Sequence, residues 1–149
     1  MNSRPLMTLR LTTAPTQKLG WGPHGMRVTF PITDGEFEGP RLRGRVLSGG
    51  DDWTVLRADG VLEADLRITL RTDDDALIHM TFQGLRHDSP EAKAALGRGE
   101  LPAPGSYYFR TFPRFETAAP RYAFLNQLLA VGTGQIRPSG PVHIIEEIL

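Results

Sequence analysis

The fold of this chain is decided by residues 64–84, which read ADLRITLRTDDDALIHMTFQG. Apolar and polar residues alternate over 64–71 and, apart from Leu77, again over 76–83, and three aspartates lie between them at 73–75. Strict alternation is the period of a β-strand with one buried face, and aspartate-rich segments favour turns. The segment therefore predicts an antiparallel β-hairpin.

Outside this hairpin, seven further segments have the composition and length of strands. They are Leu6–Thr13, Met26–Ile32, Arg41–Leu47, Trp53–Ala58, Tyr107–Phe112, Leu128–Ile136 and Pro141–Ile148. The 16 glycines and 12 prolines are spread among them, as expected of short strands joined by turns. Because closure removes exposed strand edges, about nine such strands predict an all-β fold, a closed antiparallel β-barrel.

One short helix is predicted near residues 89–97. Ser89 is a suitable N-cap, Pro90 would occupy the first helical position, and Gly97 or Gly99 would end the helix. A further helical turn is expected near Arg121–Asn126.

Composition limits the classes of function. A length of 149 residues predicts a single domain, residues 1–149. Lys+Arg and Asp+Glu both number 17, so no basic excess indicates a nucleic-acid partner. The absence of cysteine excludes disulfides, thiolate catalysis and cysteine-based metal centres. We expect no cofactor and no metal, since no histidine pair has metal-ligand spacing and Gly132-Thr-Gly134 lacks the helix of a dinucleotide loop.

No apolar run has the length of a signal peptide or of a membrane span. The expected location is therefore the cytoplasm, without a membrane partner.

A series of short motifs runs along nearly the whole chain. They are Gly25-Met-Arg27, Gly35-Glu-Phe-Glu-Gly-Pro-Arg-Leu-Arg-Gly44, Gly49-Gly-Asp-Asp-Trp53, Asp59-Gly60, Ala64-Asp-Leu-Arg67, Thr72-Asp-Asp74, Tyr108-Phe-Arg-Thr111, Phe115-Glu-Thr117 and Tyr122-Ala-Phe-Leu-Asn126. In this order and spacing they resemble the DUF3237 family, also called UPF0311. The resemblance implies a lipocalin-like or calycin-like β-barrel. It implies no particular activity, because the family is one of unknown function.

The hairpin can face the barrel interior in two ways. Its leucine, isoleucine, methionine and phenylalanine side chains can fill the barrel, which is the more common arrangement. Alternatively, the polar face with Asp65, Arg67 and His79 lines the interior and forms a ligand site. A shift of one residue in register exchanges the two faces, so the sequence leaves both open.

Three residues are candidates for acid–base catalysis. Asp52 follows a flexible Gly-Gly pair and would lie at a barrel mouth, although an aspartate there also caps turns. Asp65 would be oriented by Arg67, although the two also suit a surface ion pair. His79 shares their side of the hairpin and is a weaker candidate.

Five residues are candidates for ligand binding. Trp53 would form an apolar wall, and Arg67 would orient a carboxylate. Tyr108 and Arg110 share one side of a strand and would stabilise an oxyanion, although Arg110 also suits a salt bridge with Glu116. Asn126 would hydrogen-bond a ligand carbonyl or cap a helix.

Three functional hypotheses follow from these candidates. The first is a cofactor-independent isomerase, hydratase or lyase acting on a small carbonyl or aromatic compound. The second is a lipocalin-type carrier without catalysis, and the third is a packed barrel that serves as an interaction or assembly protein. A homodimer is expected under all three, because the strand Val142–Ile148 offers an edge that needs covering.

Overall fold

The computed structural model describes all residues from Met1 to Leu149, and they form ten strands and two short helices. The strands are β1 (Ser3–Thr13), β2 (Gln17–Gly22), β3 (Gly25–Glu38), β4 (Arg43–Val46), β5 (Gly50–Leu56), β6 (Leu62–Thr72), β7 (Leu77–Asp88), β8 (Tyr107–Glu116), β9 (Ala130–Gln135) and β10 (Val142–Ile148). The helices are α1 (Pro90–Gly97) and a 3₁₀ helix (Pro120–Gln127).

The strands form a closed antiparallel barrel. Strand β1 pairs with β10 on one side and with β3 on the other, and the sheet continues from β10 through β9, β8, β7 and β6. Strands β4 and β5 both lie between β3 and β6, so together they occupy one position of an eight-stranded barrel. Strand β2 pairs only with β3 and extends beyond the barrel. The predicted closed barrel is confirmed.

The predicted hairpin consists of β6 and β7, paired continuously from Leu62 opposite Arg86 to Arg71 opposite Leu77. Its turn includes Asp75, whose φ of 66° is unusual for a residue other than glycine. The alternating apolar side chains on one face of both strands are buried in the barrel core: Ala64, Leu66, Ile68, Leu70, Ile78, Met80 and Phe82. Of the two orientations that the sequence allowed, the apolar face therefore fills the barrel, and the polar face lies outside.

The 3₁₀ helix covers one end of the barrel. Its Tyr122 and Leu125 are buried in the same core cluster as the hairpin side chains. The Tyr122 hydroxyl donates to Asp74 in the β6–β7 turn at 2.7 Å, which ties the helix to the barrel rim. We call this the closed end.

A buried ion-pair group stabilises the closed end. The carboxylate of Glu147 on β10 is buried and accepts hydrogen bonds from Arg4 and Arg41. The guanidinium of Arg41 also lies over the ring of Phe124, 4.1 Å from its centroid. These contacts join both chain termini to the segment between β3 and β4.

Helix α1 begins where the sequence predicts. The Ser89 hydroxyl accepts a hydrogen bond from the Ala92 N–H at 3.1 Å, and Pro90 occupies the first turn. Helix α1 has eight residues, as does the 3₁₀ helix, and neither is long and apolar enough to cross a membrane.

Candidate functional site at the open end of the barrel

A cavity of about 230 Å³ lies inside the barrel at the end opposite the 3₁₀ helix, which we call the open end. It is bounded by the last part of β1, the middle of β3, β5, the start of β6, the end of β7, the start of β8 and the loop between β9 and β10. The principal apolar lining residues are Leu11, Phe30, Ile32, Leu62, Phe109 and Ile136. The polar lining residues used below are Asp52, Thr54 and Arg86.

Strand β5 brings Asp52 to this cavity. Gly49 has a φ of 102° and allows the chain to turn into β5, where side chains alternate between the two faces. Asp52 and Thr54 therefore point into the barrel, while Trp53 points outward. Asp52 lies opposite Phe30 of β3 and Leu66 of β6, so its carboxyl has apolar neighbours on both sides.

The environment of Asp52 disfavours its charged form. Removal from water raises its pKa to about 6. The backbone N–H of Asp65 donates to Oδ1 at 2.9 Å and opposes that rise, while the charge of Asp65 adds to it. The second oxygen, Oδ2, accepts no hydrogen bond from the protein, and no arginine lies within ion-pair distance of the carboxyl. The carboxyl therefore has one oxygen fixed by the backbone and one available to a ligand.

Arg86 provides a cation on the wall of the same cavity. Asp88 accepts two hydrogen bonds from its guanidinium, from Nε and from Nη2, both at 3.1 Å. The guanidinium also lies 5.9 Å from the ring centroid of Tyr107, whose hydroxyl accepts from the Ile136 N–H. This paired, half-buried arrangement fixes the guanidinium while leaving Nη1 without a protein acceptor.

A histidine lies behind the cavity wall. His143 of β10 is 0% exposed and lies between Phe82 at 4.8 Å and Phe109 at 5.2 Å, measured between ring centroids. Burial lowers its pKa to about 4, so the imidazole is neutral at pH 7.

Two predicted bases lie elsewhere. Asp65 and His79 border a groove of about 570 Å³ on the outer surface, together with Arg67 and Arg114. Asp65 and Arg67 approach to 3.6 Å, but their side chains are 38% and 61% exposed. The structure therefore separates Asp52, inside the barrel, from the other two candidates outside it.

The predicted ligand-binding residues also lie outside the cavity. Trp53 is on the outer surface, with the Arg67 guanidinium 6.0 Å from its ring centroid. Tyr108 stacks on His87, and Arg110 lies 5.3 Å from the Tyr108 ring centroid. Arg110 makes no ion pair with Glu116, which lies six residues further along the same exposed face.

Asn126 has a local structural contact. Its side chain accepts from the Thr117 N–H at 2.8 Å and donates to the Thr117 carbonyl at 2.9 Å. These two bonds attach the end of the 3₁₀ helix to the end of β8. The amide group is therefore occupied by the backbone.

Sequence reasoning missed Arg86, although a signal for it exists. Arg86 lies on the same face of β7 as the buried residues Met80 and Phe82, because every second residue faces inward and Gly84 continues that series. Extending the alternation past this glycine would have predicted an arginine directed into the barrel.

Comparison with known proteins agrees with the fold. The model of the family described as "Protein of unknown function (DUF3237)" matches residues 1–146. A UPF0311 protein of Rhodopseudomonas palustris is 35% identical over 125 residues, covering 84% of this chain and 82% of the relative. The crystal structure of that protein superposes with a TM-score of 0.93 at 31% identity, covering 99% of this chain and 97% of that one.

A more distant structure shares the fold alone. It is described as an enzyme from Penicillium herquei and superposes with a TM-score of 0.72 at 22% identity, covering 99% of this chain and 94% of the other. The family match over nearly the whole chain, with the close bacterial relative, confirms the resemblance carried by the sequence motifs: the chain belongs to the DUF3237 family, also called UPF0311.

Proposed function

We propose that the open-end cavity binds a small, partly apolar carbonyl or aromatic compound, and that Asp52 transfers protons in a cofactor-independent isomerase, hydratase or lyase reaction. The observation that carries this proposal is a carboxyl group with a pKa of about 6 and one unbonded oxygen, facing an apolar cavity.

The properties of Asp52 suit general acid–base catalysis. Such a group is most effective when its pKa lies close to the working pH. With a pKa of about 6, Asp52 is mostly ionised at pH 7 and is a stronger base than an ordinary aspartate. Oδ2 would accept a proton from the substrate and return it to another atom of the same molecule. Such an isomerisation balances without an oxidant, a reductant or a co-reactant.

Arg86 supports the same chemistry from β7, which also lines the cavity. Proton removal next to a carbonyl, or from a hydroxyl, leaves negative charge on oxygen, and a fixed cation stabilises that charge in a site shielded from water. Asp88 holds the guanidinium in place, so little reorganisation would be needed during the reaction. Arg86 would therefore bind the developing oxyanion.

The size of the cavity favours a small substrate. Its volume of about 230 Å³ lies below the roughly 300–1,000 Å³ of sites for drug-sized ligands. The fungal neighbour described as an enzyme supports only the general point that this fold is compatible with catalysis.

The test is proton exchange catalysed by the purified protein. A panel of small ketones and phenols is incubated in D₂O, and loss of their exchangeable C–H signals is followed by ¹H NMR. We expect the wild-type protein to accelerate exchange for a subset of the panel, with a rate that rises with pH, is half-maximal near pH 6 and levels off above about pH 7. Asp52→Asn should lose at least about 100-fold of this rate, the usual contribution of a general base.

Asp65→Asn is the matched control, because it changes the other predicted aspartate, on the outer groove. Exchange that survives Asp52→Asn but is lost in Asp65→Asn would move the site to the outer groove and contradict the proposal. Panel members that bind without any exchange would instead support the carrier hypothesis.

A further inference from the structure

Three buried polar atoms in this chain lack a hydrogen-bond partner. They are the two ring nitrogens of His143 and the hydroxyl oxygen of Thr111. His143 is 0% exposed and Thr111 is 1% exposed. Leaving a buried donor or acceptor unpaired is destabilising, so nearly all such groups in folded proteins are paired. All three unpaired atoms belong to β8 and β10, the two strands that flank β9.

Strand pairing brings the two side chains to one patch of the inner wall. Thr111 on β8 lies opposite Gly132 of β9, and His143 on β10 lies opposite Gly134 of β9. The strand between them therefore presents only hydrogen atoms to the interior at these two positions. We call His143 and Thr111 the inner polar pair.

The two glycines are required by the packing over them. A Cβ atom added to Gly132 would lie 2.3 Å from the Thr111 hydroxyl oxygen. A Cβ atom added to Gly134 would lie 2.3 Å from the ring of Phe109. Both distances are far below van der Waals contact, so the interior wall has room for the hydroxyl and the ring only because β9 has no side chains there.

Phe109 connects the inner polar pair with the cavity. Its ring lines the cavity and also contacts the His143 imidazole, edge to face, at 5.2 Å between centroids. One aromatic side chain therefore stands between the cavity that contains Asp52 and the unpaired imidazole.

We propose that the inner polar pair is the deep part of the ligand site and binds an uncharged hydroxyl or carbonyl group of the ligand once the Phe109 ring rotates aside. A neutral imidazole offers one donor and one acceptor, and a threonine hydroxyl can act as either. The apolar surroundings, with Phe82 on the other side of the imidazole, favour an uncharged group over a charged one. This inference rests on the proposed function only in taking the open-end cavity as the entrance.

The test compares phenol with toluene, which have nearly the same shape and differ by one hydroxyl group. Binding is measured by NMR on protein with ¹⁵N-labelled histidine, in which the signal of His143 is identified by its absence from His143→Phe. We expect phenol to shift the ring nitrogens of His143 and to bind about tenfold more tightly than toluene, the equivalent of one hydrogen bond.

Two variants remove the polar atoms separately. Thr111→Val keeps the shape of the side chain, and His143→Phe keeps an aromatic ring between Phe82 and Phe109. Each should reduce the preference for phenol over toluene, measured as the ratio of the two affinities in the same variant. Equal affinities for the two probes with unshifted nitrogens, or no binding of either at millimolar concentration, would overturn the proposal.

Asp52→Asn separates this inference from the proposed catalysis. The shift of His143 by phenol should persist in Asp52→Asn, because the hydroxyl binds away from that carboxyl. A persistent shift without any catalysed exchange in the wild-type protein would uphold the deep site and reject the enzyme. Catalysed exchange without a shift of the His143 nitrogens would support the enzyme and reject the deep site.

Discussion

The interior of the barrel contains two titratable groups whose pKa values move in opposite directions. Burial raises that of Asp52 from 3.8 to about 6 and lowers that of His143 from 6.5 to about 4. We predict that their contributions to the pH dependence of stability nearly cancel in the wild-type protein between about pH 4.5 and 6. Asp52→Asn and His143→Phe should each reveal the effect of the remaining group, with opposite signs.

The sign follows from counting protons at pH 5. In the folded protein Asp52 is protonated and His143 is neutral, which makes one bound proton. In the unfolded chain the aspartate is ionised and the histidine is protonated, which again makes one. Stability changes with pH only when the two states bind different numbers of protons, so this pair contributes no slope.

Each substitution breaks the balance. In Asp52→Asn the unfolded chain binds one more proton than the folded protein, so the free energy of unfolding rises with pH by up to about 1.4 kcal/mol per unit. In His143→Phe the folded protein binds the extra proton, so the free energy of unfolding falls with pH at the same rate. Since each pKa moves by more than two units, each group contributes about 3 kcal/mol over its full window.

The assay is urea unfolding followed by circular dichroism at several pH values between about 4.5 and 7.5. Differences from the wild-type protein are compared, because titration of the other groups is common to all variants. Asp73→Asn, at the exposed turn of the hairpin, is the control and should differ from wild type by a constant. Difference curves that are flat for both interior variants, or that slope in the same direction, would contradict these opposite pKa shifts of Asp52 and His143.

Three further substitutions test contacts that stabilise the fold, each by urea unfolding. Gly134→Ala places a Cβ atom against the Phe109 ring and should lower the free energy of unfolding by about 2 kcal/mol. Gly97→Ala is the control, because a Cβ atom there meets open space, and it should cause no such loss. Ser89→Ala removes the N-cap of α1 and should cost about 1 kcal/mol in the same assay. Glu147→Gln weakens the charged hydrogen bonds of the closed end and should lower the free energy of unfolding by about 2 kcal/mol. This difference from the wild-type protein should change little in high salt, because the carboxylate is buried.

The fold could be predicted because its signals are local. Alternation in residues 64–84 predicts both strands, and the aspartates between them mark the turn. Ser89 and Pro90 predict the start of α1 for the same reason. Strand β2 was missed because all six of its residues are exposed, so it has no apolar side to create a period of two.

The site could be predicted only in part, because it depends on which strands meet at which end of the barrel. Asp52 was expected at a barrel mouth, and it lies there since β5 is aligned on β3 and β6. The sequence offers Asp65 and His79 as bases beside Asp52. The alternation that buries the apolar face of the hairpin directs both of these side chains outward. The inner position of His143 depends on β9 and β1, its neighbours in the barrel, which local pattern does not reveal.

The buried polar groups of the barrel are partnered differently toward its two ends. At the closed end the core is apolar, the 3₁₀ helix covers it, and the buried carboxylate of Glu147 is fully partnered. Toward the open end the chain retains a carboxyl without a cationic partner and two side chains with unpaired polar atoms. Replacing such groups by apolar ones of similar shape is often neutral or stabilising, so folding alone gives no reason to keep them. These groups lie toward the end that contains the Asp52 cavity, which is the arrangement that the proposed binding site requires.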